Sequence, residues 1–488
     1  MNDIVSKFQP LFYPRSVALF GATDDVRKWG FALFHNLLKG GFEGTLYPIN
    51  VRKDTIFGIK AYKSLAEIPQ SVDLVVIAIP PLGVIQAVKE CAELKVGAVV
   101  VNTAGFAETG AQGKAMEEKI QYIAKCAGFP LIGPNSQGVM STPAKLFPQM
   151  MGIQPLGGKI SMVSQSGNIG GTIMTWGRKW MASLGKFVSS GNEAVTTSAE
   201  LIEYFSFDVQ TKVIGAYIEG VKDGAQFANA LRTATVEKPV IILKGGRTDA
   251  GSNATASHTA SMAGEIAVFN ALLRQTGAIK ADNLEELFDF LSAFNSLPLP
   301  KGKNVAIITQ GGGWGVLAAD TARECGLHLA KLPQQAIKEL NAVLPDRWSH
   351  GNPVDLAAGG GRGVVEKCIE VLIRCHSVDA IALLGMGTSA ILKWNMKDSP
   401  VHSPERISEL SKRADDIEEK LTGFVIDAMR EYKKPIVCSS DVVGSPHEAE
   451  SPAVKIMKEA GLVIYPSPER CMRTLSVLAQ FSTRKLER

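Results

Sequence analysis

The run Gly251-Ser252-Asn253-Ala254-Thr255-Ala256-Ser257-His258-Thr259-Ala260-Ser261-Met262-Ala263-Gly264 sets one imidazole among residues that are almost all small and uncharged. Such a run is too small and polar to pack a core and reads as a loop. Neutral imidazole is a nucleophile near physiological pH, and it can carry a covalent phosphoryl group as well as a proton. A phosphorylated ring needs a carboxylate to fix its tautomer and to support the cation that forms. Glu219, at the end of the strand-like run 213–218 and just before Gly220, can offer one. His258 and Glu219 are therefore the candidate catalytic pair. The plainer alternative is an exposed histidine on a Ser/Ala linker with a solvated acid at a strand end.

A second constellation is Ser164-Gln165-Ser166-Gly167-Asn168-Ile169-Gly170, where a strand ends and a helix begins near Ile169. The free amides and positive dipole end of a helix start, with two hydroxyls, suit an anion. Ser164, Gln165, Ser166, Gly167 and Asn168 are the candidate phosphate-binding residues, against the simpler possibility of a Ser-capped turn. Nearer the start, Gly21-Ala22-Thr23 followed by Arg27-Lys28-Trp29-Gly30 joins a glycine turn to two cations. That pairing suits a pyrophosphate-bearing ligand. The stretch after the next strand, Tyr47-Pro48-Ile49-Asn50-Val51-Arg52-Lys53, is basic and has no acid placed for a ribose, which favours a phosphorylated nucleotide such as coenzyme A over NAD. Gly313-x-Gly315-x-x-Ala318 is a weak dinucleotide match and reads as a structural turn. The remaining histidines (His35, His328, His350, His376, His402, His447) have no metal-ligand spacing, so no metal site is expected on this chain.

The elements that must position these residues are short β-branched runs ending in glycine-rich turns, separated by helical patterns: βαβ units around parallel sheets. In the first block the strands read 16–20, 45–49, 74–79, 98–102 and 131–132, each followed by a turn containing Gly, Pro or Asn. Ligands of such sheets sit at the carboxyl ends of the strands. Residues 141–158, rich in Pro and Gly, read as a linker, as do 297–302. Segments 158–170 and 303–315 align without a gap, and Lys238-Pro239-Val240-Ile241-Ile242 matches Lys434-Pro435-Ile436-Val437-Cys438, which points to a duplicated unit. The boundaries read 1–140, 159–296 and 303–488. With 488 residues, about three domains are expected. A net charge of +4 with no basic block excludes a dedicated nucleic-acid groove. Seven scattered cysteines without a Cys-x-x-Cys pair argue against disulfides and for a reducing cytoplasm. The first 20 residues are not a signal peptide, and no apolar run reaches the ~18 residues of a membrane helix.

Taken in order, these motifs resemble the nucleoside-diphosphate-forming acyl-CoA synthetases, relatives of the succinyl-CoA synthetase α subunit. Gly21-Ala22-Thr23, Lys28-Trp29-Gly30, Tyr47-Pro48-Ile49-Asn50, Val76-Ile77-Ala78-Ile79-Pro80, Ala104-Gly105-Phe106-Ala107-Glu108 and Gly133-Pro134-Asn135 resemble the family's CoA-binding domain. Ser164-Gln165-Ser166-Gly167, Gly191-Asn192-Glu193-Ala194, Ile218-Glu219-Gly220 and Ser257-His258-Thr259 resemble its phosphate and phosphohistidine domain, and Asn352-Pro353-Val354-Asp355-Leu356 its third domain. The resemblance implies an α/β chain with an N-terminal Rossmann-like CoA-binding domain followed by two flavodoxin-like, doubly wound parallel-sheet domains. It implies CoA contacts at Gly21, Ala22, Thr23, Lys28, Asn50, Lys53, Ile79, Pro80, Thr103 and Asn135. It further implies a phosphoryl relay in an ADP-forming acid–thiol ligase: acyl-CoA and phosphate give an acyl phosphate, His258 takes the phosphoryl group with Glu219 holding the ring, and ADP becomes ATP. The family's ATP-grasp nucleotide domain, roughly another 200 residues, has no block left to house it. A separate ATP-grasp β subunit carrying Mg²⁺ with ADP/ATP is therefore implied, in a hetero-oligomer whose third block serves assembly. Ser136-Gln137 stands where Cys-Leu is common, and Val195 where Asp often follows, departures that bear on the acyl pocket. The competing expectation is a CoA-responsive regulatory protein without turnover.

Overall fold

The structure, a computed structural model, describes residues 3–251, 265–357 and 363–487. The chain divides into two compact units. The first holds two sheets and the second, from Ser292 onward, a third.

In the first sheet, β1 (Ser16–Phe20), β2 (Thr45–Ile49), β5 (Leu74–Ile77), β6 (Ala98–Val101) and β7 (Leu131–Ile132) run parallel in the order β2-β1-β5-β6-β7. A small hairpin, β3 (Thr55–Ile56) with β4 (Ile59–Lys60), lies apart. β1, β5 and β6 are buried along their whole length, which explains why they read as unbroken Val/Ile/Leu runs rather than alternating ones. The helices α1 (Asp3–Phe12), α2 (Trp29–Lys39), α3 (Pro81–Glu93) and α4 (Ala111–Ala127) complete the block. β5 and β6 end slightly sooner than their sequences suggest. After β5, Pro80 and Pro81 already begin α3, where missing N–H groups cost nothing.

The second sheet has the order β13-β12-β11-β9-β10-β8. Its parallel strands are β9 (Ile160–Ser164), β10 (Leu184–Ser189), β11 (Val213–Ile218), β12 (Val240–Lys244) and β13 (Ile279–Ala281). Between them run α5 (Gly167–Lys179), α6 (Ser198–Phe207) and α7 (Gly224–Ala234). The edge strand β8 (Val139–Ser141) is antiparallel to β10. The start of the stretch that reads as a linker, 141–158, is accordingly no free tether. Ser141 pairs with Lys186, Leu146, Phe147 and Gln149 are buried, and the Asn36 amide donates to the carbonyls of Gln149 (2.7 Å) and Met151 (3.0 Å). Proline and glycine spacing revealed the irregular backbone there, while burial came from contacts more than a hundred residues away in sequence.

The first two sheets are locked through α1. Phe12 stacks on Tyr204 at 4.7 Å, Phe8 meets the same ring edge-on at 5.4 Å, and Lys7 pairs with Glu200 at 2.5 Å. Beneath them Lys186 pairs with Asp208 at 2.6 Å, the two side chains only 1% and 6% exposed, and the Lys186 ammonium lies 5.0 Å from the Tyr13 ring. α6 opens with a reciprocal capping box between Thr197 and Glu200.

The third sheet consists of β14 (Asn304–Thr309), β15 (His328–Leu329), β17 (Ala380–Leu384), β18 (Ile436–Ser439) and β19 (Ile464–Tyr465), in the order β15-β14-β17-β18-β19, with the short β16 (Val354–Asp355) beside β14. Numbered within each block, with the hairpin, β8 and β16 set aside, all three sheets share the order 2-1-3-4-5 found in flavodoxin-like folds. The matched segments of blocks two and three agree down to single bonds. The Ser164 hydroxyl donates to the Ser166 carbonyl (2.5 Å), and the Thr309 hydroxyl to the Gly311 carbonyl (2.7 Å). Lys238 donates to the carbonyls of Phe205 and Asp208 at the end of α6, and Lys434 to those of Ile373 and Cys375 at the end of helix Val364–Arg374. Each lysine thus closes a helix C-terminus, where a cation is favoured. In the third block the buried Glu418 accepts from the amide of Ser389, the hydroxyl of Ser451 and the amide of Ala453, tying two helix starts to the long helix Pro404–Tyr432.

Candidate active site

β9 and β11 are parallel neighbours, with Ser164 opposite Tyr217. That register delivers the start of α5 and the residue pair Glu219-Gly220 to the same edge of the second sheet. Ser164 is fully buried, and its hydroxyl turns back onto Ser166, so it shapes the turn instead of facing outward. Ser166 and Gly167 are half-buried, Asn168 is exposed, and the first-turn amides of α5 have no partner within the helix. Gly167 cannot carry a side chain without moving Gln137, whose Cγ and Cδ would stand 2.2 Å from an added Cβ. The Gln137 amide in turn donates to Asn168 Oδ1 at 3.1 Å.

Gln165 is placed differently from expectation. Its backbone N–H goes to the Tyr217 carbonyl at 3.1 Å. Its carboxamide is spent on Glu193, Glu219 and Gly220, which leaves it no hydrogen-bonding capacity for an anion. Of the five expected phosphate residues, Ser166, Gly167 and Asn168 lie at the start of α5 with at least partial exposure, while the Ser164 and Gln165 side chains are committed to partners within the protein.

Glu219 is buried to 6% exposure. The Tyr217 hydroxyl hydrogen-bonds its side chain, and burial together with the neighbouring carboxylate pushes the phenol up to about 12. The Lys244 ammonium donates to the carbonyls of Glu219 (2.6 Å) and Gly245 (2.5 Å); burial holds this amine below its ordinary value, partly offset by Glu219. Gly245 is required, since a Cβ there would stand 2.5 Å from the Tyr217 hydroxyl oxygen. His258 lies outside the described residues. The chain leading to it leaves β12, the strand beside β11, at the edge that holds Glu219.

Sequence reasoning singled out Gly191-Asn192-Glu193-Ala194 as a motif but gave Glu193 no role. It is 4% exposed, adopts φ +53°, and its Oε1 accepts from Gln165, from the Ser190 hydroxyl (2.8 Å) and from the Ser198 hydroxyl. Lys222 donates to the carbonyls of Asn192 (2.7 Å) and Glu193 (2.9 Å). Only the non-glycine residue in a glycine-flanked turn hinted at this, because the partners are scattered from 165 to 222.

At the carboxyl edge of the first sheet the expected CoA residues do assemble. The Gly21 amide donates to the Ile49 carbonyl (3.0 Å), Asn50 Nδ2 to the Ala22 carbonyl (2.8 Å), the Thr103 hydroxyl to the Ile79 carbonyl (2.7 Å), and the Asn135 amide to the Thr103 carbonyl (2.9 Å). Gly21 has φ +84°, and an added Cβ would stand 2.3 Å from the Ala78 carbonyl oxygen. Thr23 is buried, with its hydroxyl oxygen accepting from the Asp25 amide, and Pro80 caps α3. The cations there are not bare. Arg27 forks onto Asp25 with two 3.0 Å bonds and holds that carboxyl down at about 2, Lys28 stands 4.0 Å from Asp25, and Lys53 pairs with Asp24. Exposed apolar side chains, Val26, Trp29, Val51 and Leu82, stand on the same turns.

Ser136 and Val195, which bear on the acyl pocket by sequence, lie in the seam between the first two sheets. The Ser136 hydroxyl is buried, donating to the Ser189 carbonyl (2.5 Å) and accepting from Gly138 (2.9 Å), while Val195 packs on the first sheet's core. Asn192 crosses the same seam to Glu108 and Glu117. Among the described residues no group of three or more His, Cys, Asp or Glu can hold a metal ion.

Residues 15–142 match the CoA binding domain family, 157–294 the succinyl-CoA ligase like flavodoxin domain, and 305–406 the ligase-CoA domain. The chain is 37% identical to the acetate–CoA ligase (ADP-forming) I subunit alpha of Pyrococcus furiosus over 97% of both chains. It is 32% identical to the acetate–CoA ligase (ADP-forming) I of Archaeoglobus fulgidus over 97% of its own length and 63% of that longer relative. The structure of a Ca. Korarchaeum cryptofilum dinucleotide-forming acetyl-coenzyme A synthetase 1, in complex with phosphate and ADP, superposes with a TM-score of 0.85 at 30% identity, covering 100% of this chain and 99% of that one. Alignment over essentially the whole length of an α subunit, at 37% identity, means that the chain belongs to the ADP-forming acyl-CoA ligase family and is of its α-subunit type.

Proposed function

We propose that this chain is the α-type subunit of an enzyme interconverting acyl-CoA, ADP and phosphate with acid, CoA and ATP. The observation that carries the reading is the convergence, on one edge of the second sheet, of the α5 start, Glu219 and the chain leading to His258. A phosphate oxygen held at the first turn of α5 attacks the thioester carbonyl; the C–O bond forms, the C–S bond breaks, and CoA leaves as a thiolate that takes up a proton. His258 then attacks phosphorus, an N–P bond forms, and the acid leaves as carboxylate with the electrons of the broken P–O bond. Glu219, buried beside Tyr217, supports the ring cation. In the final step the terminal oxygen of ADP takes the phosphoryl group and frees the imidazole. Positioning and charge complementarity supply most of the rate in such transfers.

The turns around Gly21, Ala22, Thr23, Asn50, Lys53, Ile79, Pro80, Thr103 and Asn135 suit CoA, with cations for its phosphates and exposed Trp29 and Leu82 for its apolar parts. Mg²⁺ enters with the nucleotide on an ATP-grasp β subunit, the component that the family's nucleotide step requires and for which this chain has no block. The longer Archaeoglobus relative, in which the matched region is only 63% of the chain, supports a second component supplied in trans here. Seven scattered cysteines without a Cys-x-x-Cys pair support a reducing, cytoplasmic location.

The test mixes the chain with its nucleotide-binding partner, acetyl-CoA, inorganic phosphate and Mg-ADP. ATP is expected, along with acid-labile, base-stable phosphate on His258, and His258→Ala abolishes both. Full turnover by that variant would refute the relay, and CoA binding without protein phosphorylation would leave only a regulatory role.

A further inference from the structure

We propose that Gln165 and Glu193 are positioning residues that set the place of Glu219, an inference that rests on Glu219 supporting the His258 ring. The Gln165 carboxamide uses its full hydrogen-bonding capacity. Oε1 accepts from the amides of Glu219 (2.5 Å) and Gly220 (3.0 Å), and Nε2 donates to the Gly220 carbonyl (2.8 Å) and to Glu193 Oε1 (3.0 Å). One side chain in the phosphate turn therefore grips, 54 residues away, the two peptide groups from which the Glu219 side chain departs.

Glu193 decides which way round that amide sits. A carboxylate only accepts, so the NH₂ group must face Glu193 and the oxygen must face the two amides; the opposite flip would set donors against donors. Glu193 is itself fixed by the hydroxyls of Ser190 and Ser198 and by a left-handed backbone, a conformation non-glycine residues hold only when their surroundings impose it. The chain of contacts runs Ser190/Ser198 to Glu193, to Gln165, to the Glu219-Gly220 turn. Its final link to chemistry is the Glu219 carboxylate.

The experiment uses the complete enzyme with acetyl-CoA, inorganic phosphate and Mg-ADP, and compares Gln165→Leu, Glu219→Gln, their double variant, Gln165→Glu, and the swap Gln165→Glu/Glu193→Gln. Gln165→Leu is expected to slow phosphohistidine formation about 10- to 100-fold, the loss typical of supporting hydrogen bonds around a functional group. KM for acetyl-CoA stays unchanged. The double variant should be no slower than Glu219→Gln alone, because the clamp acts only through that carboxylate. Gln165→Glu opposes two carboxylates and sets an oxygen against the Gly220 carbonyl, and is slow; the swap restores a donor facing an acceptor at position 193 only and should recover part of the loss, about tenfold, a coupling expected of hydrogen-bonded neighbours. Hydrogen exchange at the Glu219 and Gly220 amides should quicken in Gln165→Leu. Multiplying effects in the double variant, or a swap no faster than Gln165→Glu, would overturn the proposal. If His258→Ala or Glu219→Gln kept full turnover, the relay would fall and the positioning role with it. If both were inactive and Gln165→Leu fully active, only the positioning role would fall.

Discussion

Gly245→Ala probes the wall of the site with a single methyl group. The added Cβ would lie 2.5 Å from the Tyr217 hydroxyl oxygen, 3.1 Å from its Cζ and 3.3 Å from Glu219 Cγ. An ordinary contact begins near 3.4 Å, so the hydroxyl must retreat by about 0.9 Å. The ring cannot follow freely, because Tyr217 is held in β11 between β9 and β12 and its carbonyl accepts from Gln165. The retreat breaks the hydrogen bond to Glu219. Overpacking of this kind costs about 1–3 kcal/mol, which at about 2–4 °C per kcal/mol lowers Tm by several degrees. Thermal unfolding and ATP formation from acetyl-CoA, phosphate and Mg-ADP should both fall. Adding Tyr217→Phe removes the 2.5 Å contact, so the double variant should regain the lost stability but keep the activity of Tyr217→Phe alone. A double variant as unstable as Gly245→Ala, or a Gly245→Ala enzyme with full turnover, would refute the steric account.

Three further outcomes follow from buried polar groups. Tyr217 holds its proton more tightly when folded, with its pKa raised to about 12 from the usual ~10, so its stabilisation is complete below pH 10 and is lost as pH rises through 12; denaturant midpoints of Tyr217→Phe should decline less than wild type across that interval, and parallel curves would contradict this. Lys186→Met leaves the Asp208 carboxylate buried without its cation and should destabilise by about 3–5 kcal/mol, whereas Lys186→Met/Asp208→Leu should recover most of the loss in chemical denaturation, since Thr211 keeps Ser161 as a partner. Glu418→Ala strips the acceptor from Ser389, Ser451 and Ala453 and should cost at least about 3 kcal/mol by the usual value of bonds to a charged group, read as a lower denaturation midpoint, while Glu418→Gln should cost less.

Much of the fold was legible because parallel strands buried on both faces must be continuous apolar runs, and their ends must turn on Gly, Pro or Asn. β1, β2, β7 and β11 fall on the residues their sequences mark. The duplication was legible for a related reason: Lys238 and Lys434 do the same work on equivalent helix ends, so the Lys-Pro-strand pattern recurs. The places of Glu219, just past β11, and of the turn residues at the first sheet's edge were legible because both follow recognisable strand ends. The site was not legible at Gln165 and Glu193, whose partners come from segments tens of residues apart. Nor was the pairing of Arg27 with Asp25 and of Lys53 with Asp24 apparent from a reading that weighed the cations alone.

Because β8 closes the open margin of β10, the covalent frontier between the first two blocks and their structural frontier do not coincide. A gene fragment stopping near residue 138 would release an N-terminal piece lacking Leu146 and Phe147, whereas a fragment that begins after Gln149 would lack β8 and leave β10 a naked strand ready to recruit a neighbour. Shuffling such blocks among related chains should therefore succeed when the crossover is placed after the buried stretch that ends near Gln149, carrying the borrowed strand along with its donor.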